Sequence, residues 1–386
     1  ESIFTTTLRM TQRGYHHLPV MVDGQLRGIV TTSDLILARQ DDPVYLVQHI
    51  SRQHDIAGIK SVVSGMANLM VQWVNSGMKA QQVSQILTAI SDAITVRLIQ
   101  LGEKELGPAP VPWCWTGFGS QARGEQLLGA DQDNGMIIDD SVEEDHLPWY
   151  KAMAEFVCDG LNECGYIYCP GGIMAKTDEW RQPLETWRQT VRRWATSPTP
   201  DAVMRVSIFF DIRSIYGDSS LARRLQKTML KQASKNSIFR AALAANALDS
   251  KPPLGIFRRF VVDRDGEHRD TVYLKKRGVL PVTEIVRLHA LAHRIPAVNT
   301  DERLQALASE KHMTIVDSRN LADALNFVQQ QRIANQCKQI VRGERVSNHM
   351  NPRDLPKMAK EQLRDAFTII DEAQSAVRHT YRAGLG

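Results

Sequence analysis

The sequence predicts an α+β fold, a mixed sheet flanked by helical bundles, on three observations. Residues 54–106 repeat apolar side chains every three or four positions, the period of a helix with one buried face. From 111 the pattern changes to short apolar runs separated by glycine turns and helical stretches, the alternation expected of a sheet with covering helices. From about 282 to 382 helical spacing returns.

In chain order, residues 1–45 form a small unit. A helix-like stretch from Phe4 to Arg13 leads into His17-Leu-Pro-Val-Met-Val22, the turn Asp23-Gly24, and a second apolar strand from Leu26 to Thr31. Ser33-Asp34-Leu35 starts a further helix, with Thr32 or Ser33 placed to cap it. This unit is too short to bury a core of its own. Residues 46–106 read as a helical pair. Ile59, Val62, Met66, Leu69 and Trp73 line one helix; Val83, Ile86, Leu87, Ile90, Ile94, Leu98 and Leu101 line the other. Ser76-Gly77 separates them, and Gly107-Pro-Ala-Pro110 is a hard stop.

Residues 107–217 carry the sheet. Val111–Thr116 reads as a strand, Gly117-Phe-Gly-Ser120 as a tight loop, 120–128 as a short helix and Gly135–Ile138 as a second strand. A helix over 149–164 and a loop with Pro170-Gly-Gly172 lead to a Trp- and Arg-rich helix at 183–195. Val203–Phe210 reads as a strand ending on Asp211. Residues 218–386 are mostly helical. One hairpin is expected between Arg258–Val262 and Thr271–Lys275 around Asp265-Gly266. Helices follow over roughly 282–294, 301–310, 318–341 and 355–382.

The segment from Trp115 to Ile138 carries the chemistry. A strand runs into Gly-Phe-Gly119-Ser120 at a helix start, where glycine lets the backbone approach a phosphate and free N–H groups face it. Ser120 adds a hydroxyl. Arg123, one turn on, offers a planar fork to phosphate oxygens, or else a solvated helix face. Asp131 and Asp133 are two apart on an incipient strand, so they point to one side. Paired carboxylates repel, and a divalent metal resolves the repulsion. Transfer of phosphoryl or nucleotidyl groups commonly uses such metals. Asp211, at the end of an apolar run, is the candidate third acid; its alternative is an ion pair with Arg205 or Arg213.

Composition narrows the classes. The net charge is +4 over 386 residues with no basic tract, which argues against nucleic acid. No apolar run is long enough to span a membrane. The five scattered cysteines have no Cys-x-x-Cys spacing and fit a reducing compartment, the cytoplasm by default. Glu1 opens without an initiator Met or a signal peptide, as a fragment of a longer protein does. Trp180, Trp187 and Trp194 lie among basic residues, but Trp187, Val191 and Trp194 fall at helical spacing, the pattern of a core stripe. Lys176, Arg181 and Arg188 remain able to reach a triphosphate. His289 and His293 are four apart but lack the glutamate of a zinc protease motif.

Gly119-Ser120, a short helix, then Asp131-x-Asp133 on a strand resembles the DNA polymerase beta nucleotidyltransferase superfamily. The wording Gly-Ser-Gln-Ala-Arg-Gly-Glu-Gln and Asp-Gln-Asp-Asn, with Phe209-Phe-Asp211-Ile-Arg213, resembles a bacterial group similar to protein-PII uridylyltransferases. The resemblance covers essentially the whole chain. It implies a nucleotidyltransferase core with a C-terminal helical substrate-binding domain, Mg2+ or Mn2+ at Asp131, Asp133 and Asp211, and an NTP held by Gly119, Ser120 and Arg123. It also implies an acceptor that is a protein, and a place in signal transduction. Leu18-Pro-Val-Met-Val22, Gly28-Ile-Val-Thr31 and Asp34-Leu35 resemble the second half of a CBS domain. In that family, positions matching Thr31 and Asp34 touch adenine nucleotides; plain N-capping is the alternative. Two such units pair, so a homodimer is expected if the full protein has both. Lys275 and Lys276 resemble a lysine-bearing segment of the group's C-terminal domain; substrate contact and a solvated strand end are both open. A catalytically silent nucleotide sensor, with CBS and nucleotidyltransferase-like domains, is the alternative function.

Overall fold

The computed structural model describes residues 6, 9, 10, 13–32, 34, 43–263, 266 and 268–381. The N-terminal strands β1 (His17–Val22) and β2 (Gln25–Thr31) pair antiparallel. The turn between them, Asp23-Gly24, has both residues at positive φ (50° and 75°), as the tightest hairpin turn requires. Much of this ribbon is exposed, including Met21, Leu26 and Ile29. Ser33 and Leu35 lie outside the described residues.

The helices α1 (Pro43–Ser51), α2 (Ile56–Val63), α3 (Met66–Asn75) and α4 (Ala80–Leu106) follow. The first of the two expected helices is thus broken at Ser64-Gly65. The α4 stripe Val83, Leu87, Ile90, Ile94 and Leu98 is buried as its period demands, and it packs in one core with the sheet that follows.

That sheet has four strands in the order β5-β4-β3-β6. Central β3 (Trp113–Phe118) is buried along its whole length, and it runs antiparallel to β4 (Asn134–Ile138) and to β6 (Ile212–Gly217). β5 (Arg181–Pro183) adds to β4 in parallel, which makes the sheet mixed. Around it stand the short α5 (Gly119–Arg123), α6 (Leu147–Glu163), α7 (Leu184–Thr196) and α8 (Pro200–Phe209).

The expected strand Val203–Phe210 is α8, and the true strand begins one residue after Asp211. Thr199 caps the helix by accepting from the Ala202 N–H, Pro200 opens it, and Ala202, Val203, Val206 and Phe209 bury one face. A short apolar run does not separate strand from helix by itself; the tertiary setting does. Phe209 stacks on Trp187 (4.7 Å, 21°) and meets Trp180 and Trp194 edge-on. All three tryptophans are buried, so they form core.

The C-terminal half contains α9 (Ser219–Lys235), α10 (Ser237–Asp249), β7 (Val272–Tyr273), α11 (Leu280–Ala292), α12 (Thr300–Ser309), α13 (Ile315–Val341), β8 (His349–Met350) and α14 (Lys357–Thr380). Among the described residues the expected hairpin is reduced to two backbone hydrogen bonds, Asp263 N–H to the Thr271 carbonyl (2.9 Å) and Asp270 N–H to the Asp263 carbonyl (2.8 Å), without paired strands. β7 pairs with β8, some 76 residues on, and the chain leaves β7 through a wide π-helical turn, Lys275–Val279. Asp265 lies outside the described residues. Leu221, Leu225, Met229, Phe239 and Leu243 of α9 and α10 pack in the core with the sheet, and a second apolar cluster, from Val272 to Ile370, lies beyond them. Among the described residues no helix is long and apolar enough to cross a membrane.

Candidate active site

The ends of three strands bring the key segments together. The Phe118 N–H donates to the Asp133 carbonyl (2.8 Å), and the Gly119 N–H donates to the Asp211 carbonyl (3.2 Å). Backbone at Asp133, Gly119 and Asp211 is therefore contiguous across β4, β3 and β6. Gly119 has φ +52°, and a Cβ there would sit 3.3 Å from Asp133 Oδ2. Glycine thus relieves both a left-handed backbone and a crowded carboxylate. Gly124, at φ 72°, ends α5 after five residues, so the chain turns back to the aspartates instead of continuing as a helix to 128.

Asp131 and Asp133 lie side by side. Their carboxylate oxygens and the Cys169 sulfur lie within 4.8 Å of one another. The loop bearing Cys169 is tied to the aspartates through backbone. The Gln132 N–H donates to the Ile167 carbonyl (2.9 Å) and the Asn134 N–H to the Ile173 carbonyl (3.2 Å). Burial and the Asp131 charge push the Asp133 carboxyl up to about 7, against a hydrogen bond from Cys169 and the pull of Lys275 and Arg123. Burial, with the Asp133 charge, pushes the Cys169 thiol up to about 11. Two carboxylates and a thiol at this spacing are a donor set that fits a divalent cation.

Beside them is a small cavity whose wall includes Ser120, Arg123, Ala130, Lys275, Arg332 and Asn348. Lys275 stands at the start of the π-helical turn, and burial lowers its ammonium below the usual lysine range against the pull of Asp131. Arg332 is 7% exposed; it donates to Asn348 Oδ1 (2.5 Å) and Gln329 Oε1 (3.2 Å). Burial lowers Arg332 to about 10. Among the described residues no carboxylate pairs with Arg332 or Lys275. Glu125, the partner of Arg123, is the acid in that wall; buried cations in excess over it can receive an anion.

Asp211 does not stand with Asp131, Asp133 and Cys169; in this structure it takes the ion-pair role that the sequence left as its alternative to metal binding. Its carboxylate is fully buried and both oxygens are taken by arginines. Arg287 grips it in bidentate fashion (3.0 and 2.6 Å), Arg303 donates to Oδ1 (2.6 Å) and Arg123 to Oδ2 (2.5 Å). Three guanidinium groups hold Asp211 far below the usual carboxylate range despite its burial. Its partners are neither Arg205 nor Arg213: Arg205 pairs with Asp201 and Glu179, Arg213 with Asp92. Arg123 also pairs with Glu125 (2.7 Å), so it is fixed in place at the cavity wall. Asn299 Nδ2 donates to the Arg123 carbonyl (2.7 Å), and the Thr300 N–H donates to Glu125 Oε1 (3.0 Å). The Asp211 hub therefore clamps α11 and α12 against the sheet.

The other sequence candidates fall elsewhere. Lys176, Arg181 and Arg188 pair with Asp159, Asp178 and Glu185. Thr31 and Asp34 bond each other: Thr31 N–H and Oγ1 donate to the Asp34 carboxylate (2.7 and 2.8 Å), and the Asp34 N–H donates to Thr31 Oγ1 (3.1 Å), a reciprocal cap. His289 meets the Tyr381 hydroxyl at 3.0 Å, and burial lowers its imidazole to about 4. In the sequence Cys169 is one of five scattered cysteines without metal-ligand spacing, and Arg332 is not singled out. The only signal at Cys169 was its place before Pro170-Gly-Gly172; Arg332 sits in a helix stripe with nothing to distinguish it.

A mixed four-stranded sheet with Gly-Ser at the end of one strand and an Asp-x-Asp leading into its neighbour defines the nucleotidyltransferase class. Residues 64–201 match the family described as "Putative nucleotidyltransferase DUF294", and residues 237–381 match its "Putative nucleotidyltransferase substrate binding domain". Residues 1–41 match a CBS domain. The chain thus joins a CBS-domain match at its N-terminus to matches for both of these nucleotidyltransferase-associated domains. No curated protein matches the chain.

Proposed function

We propose that the chain transfers a nucleoside monophosphate from an NTP to an acceptor in a reaction that depends on Mg2+ or Mn2+. The observation that carries this reading is the juxtaposition of Asp131 and Asp133 with the cationic cavity of Ser120, Arg123, Lys275 and Arg332. The aspartates would hold the divalent ion, which neutralises charge on the α-phosphate and the departing pyrophosphate when bound. Gly119 keeps space beside Asp133. Ser120, Arg123, Lys275 and Arg332 would seat the triphosphate, two from the sheet domain and two from the C-terminal half. The acceptor oxygen or nitrogen attacks the α-phosphorus, its bond to the β-phosphate oxygen breaks, and pyrophosphate leaves. Asp211 holds no ligand in this reading; it sets Arg123 in the wall.

We take the acceptor to be a protein presented by the C-terminal domain, in keeping with the resemblance to protein-PII uridylyltransferases, and the CBS unit to bind adenine nucleotide in the full-length protein. The test is incubation with Mg2+ or Mn2+, each of four α-labelled NTPs, and a cell extract as acceptor source. Label on a protein band with release of pyrophosphate, both lost in Asp131→Asn/Asp133→Asn, is the expected result. Tight NTP binding with no pyrophosphate under any condition would instead make the chain a nucleotide sensor.

A further inference from the structure

A metal site for nucleotidyl transfer draws on hard oxygen donors, and the residue placed by backbone to supply the third one, Asp211, is consumed by Arg123, Arg287 and Arg303. What stands within reach of Asp131 and Asp133 is a sulfur. Cys169 Sγ lies within 4.8 Å of both carboxylates, on a loop that backbone hydrogen bonds and the Asp131–Ile167 bridge hold against the aspartate strand. The Cys169 N–H donates to Met174 Sδ (3.4 Å), and the Gly172 N–H donates to the Cys169 carbonyl (2.9 Å), so the turn that carries the thiol is itself braced. A second observation lies beside it. Arg332, buried and held by the neutral amides of Asn348 and Gln329, has no carboxylate in ion-pair contact among the described residues and lines the adjoining cavity with Lys275, Ser120 and Glu125; an anion brought in with a metal would meet its charge.

Donor softness decides what such a set prefers. Mg2+ takes oxygen ligands at octahedral geometry and gains little from sulfur, whereas thiolate favours Zn2+ and other softer ions. We propose that Cys169 is the third protein ligand of this metal site and shifts its preference from Mg2+ toward Mn2+, Co2+ and Zn2+. The inference rests on the reading of Asp131 and Asp133 as metal ligands.

The full chain, titrated with Cd2+ as a thiophilic probe, should develop an ultraviolet thiolate-to-metal charge-transfer band that saturates at one ion. Cys169→Ser should lose that band, although the other four cysteines remain. By isothermal titration it should lose about tenfold or more in Co2+ and Zn2+ affinity, with Mg2+ affinity unchanged. Cys169→Asp, which restores an oxygen donor, should raise Mg2+ affinity and lower that for Cd2+; it guards against a serine variant that merely misfolds. A charge-transfer band that persists in Cys169→Ser, or equal losses for Mg2+ and Zn2+, overturns the proposal. If Co2+ and Zn2+ bind and depend on Asp131 and Asp133 but not on Cys169, the thiol inference fails alone. If binding is indifferent to the aspartates, the reading beneath it fails too.

Discussion

Replacing Asp211 with asparagine separates its two roles, metal ligand and arginine hub. The carboxylate is fully buried, and the arginine side chains around it are 9% (Arg123), 3% (Arg287) and 3% (Arg303) exposed. In Asp211→Asn, Arg123 keeps Glu125 at 2.7 Å and Arg287 keeps Glu284 at 3.0 Å. Arg303 keeps only the Ala297 carbonyl, at 2.8 Å. One buried guanidinium is left with no counter-charge and two lose half of theirs, which by analogy with broken buried ion pairs costs about 3–5 kcal/mol. Equilibrium denaturation followed by tryptophan fluorescence measures it. The contribution has a pH signature. The folded Asp211 carboxyl ionises far below its unfolded value, so its stabilisation is present above about pH 4 and is lost as pH falls further. A loss under about 1 kcal/mol would refute the hub. Mn2+ affinity of the folded variant should change less than about threefold, whereas loss of a true ligand or its support costs about 10–100-fold. A loss of that size would return Asp211 to the metal site.

Asp133 and Gly119 give two further tests. With Asp133 raised to about 7, a cation must displace its proton, so Mg2+ affinity measured by titration should fall up to about tenfold per unit as pH drops below 7 and level off above it; a flat profile would contradict this. The same raised carboxyl lowers stability as pH climbs from about 4 to 7, and Asp133→Asn should recover at most about 4 kcal/mol of it at pH 8 in metal-free protein. Gly119→Ala places a methyl group 3.3 Å from Asp133 Oδ2 at φ +52°. It should cost about 1–2 kcal/mol in thermal denaturation and weaken Mn2+ binding; full retention of both would mean the strand end is slacker than its geometry implies.

The tests depend on features with different visibility in the sequence. Gly119-Ser120 and Asp131-x-Asp133 were legible because their spacing follows from one strand, one short turn and the start of the next. The helical stripe of α4 and the tryptophan stripe of α7 were legible because burial imposes period on local sequence. Val203–Phe210 was not. Its apolar residues suit a strand or a helix equally, and packing against Trp180, Trp187 and Trp194 settles the matter.

By itself the sequence determined the class of the protein, its candidate metal carboxylates and its mostly helical C-terminal half, since each is written in neighbours within about two dozen residues. The tertiary structure decided which side chains stand around these carboxylates. Arg123, Arg287 and Arg303 converge on Asp211 from positions as far as 92 residues away; Cys169 reaches Asp133 across a loop; Lys275 and Arg332 close the cavity from another half of the chain. The physical reason is that charge and softness act through space. A carboxylate's role is set by which cations surround it, and those cations can come from any part of the chain that the fold carries there.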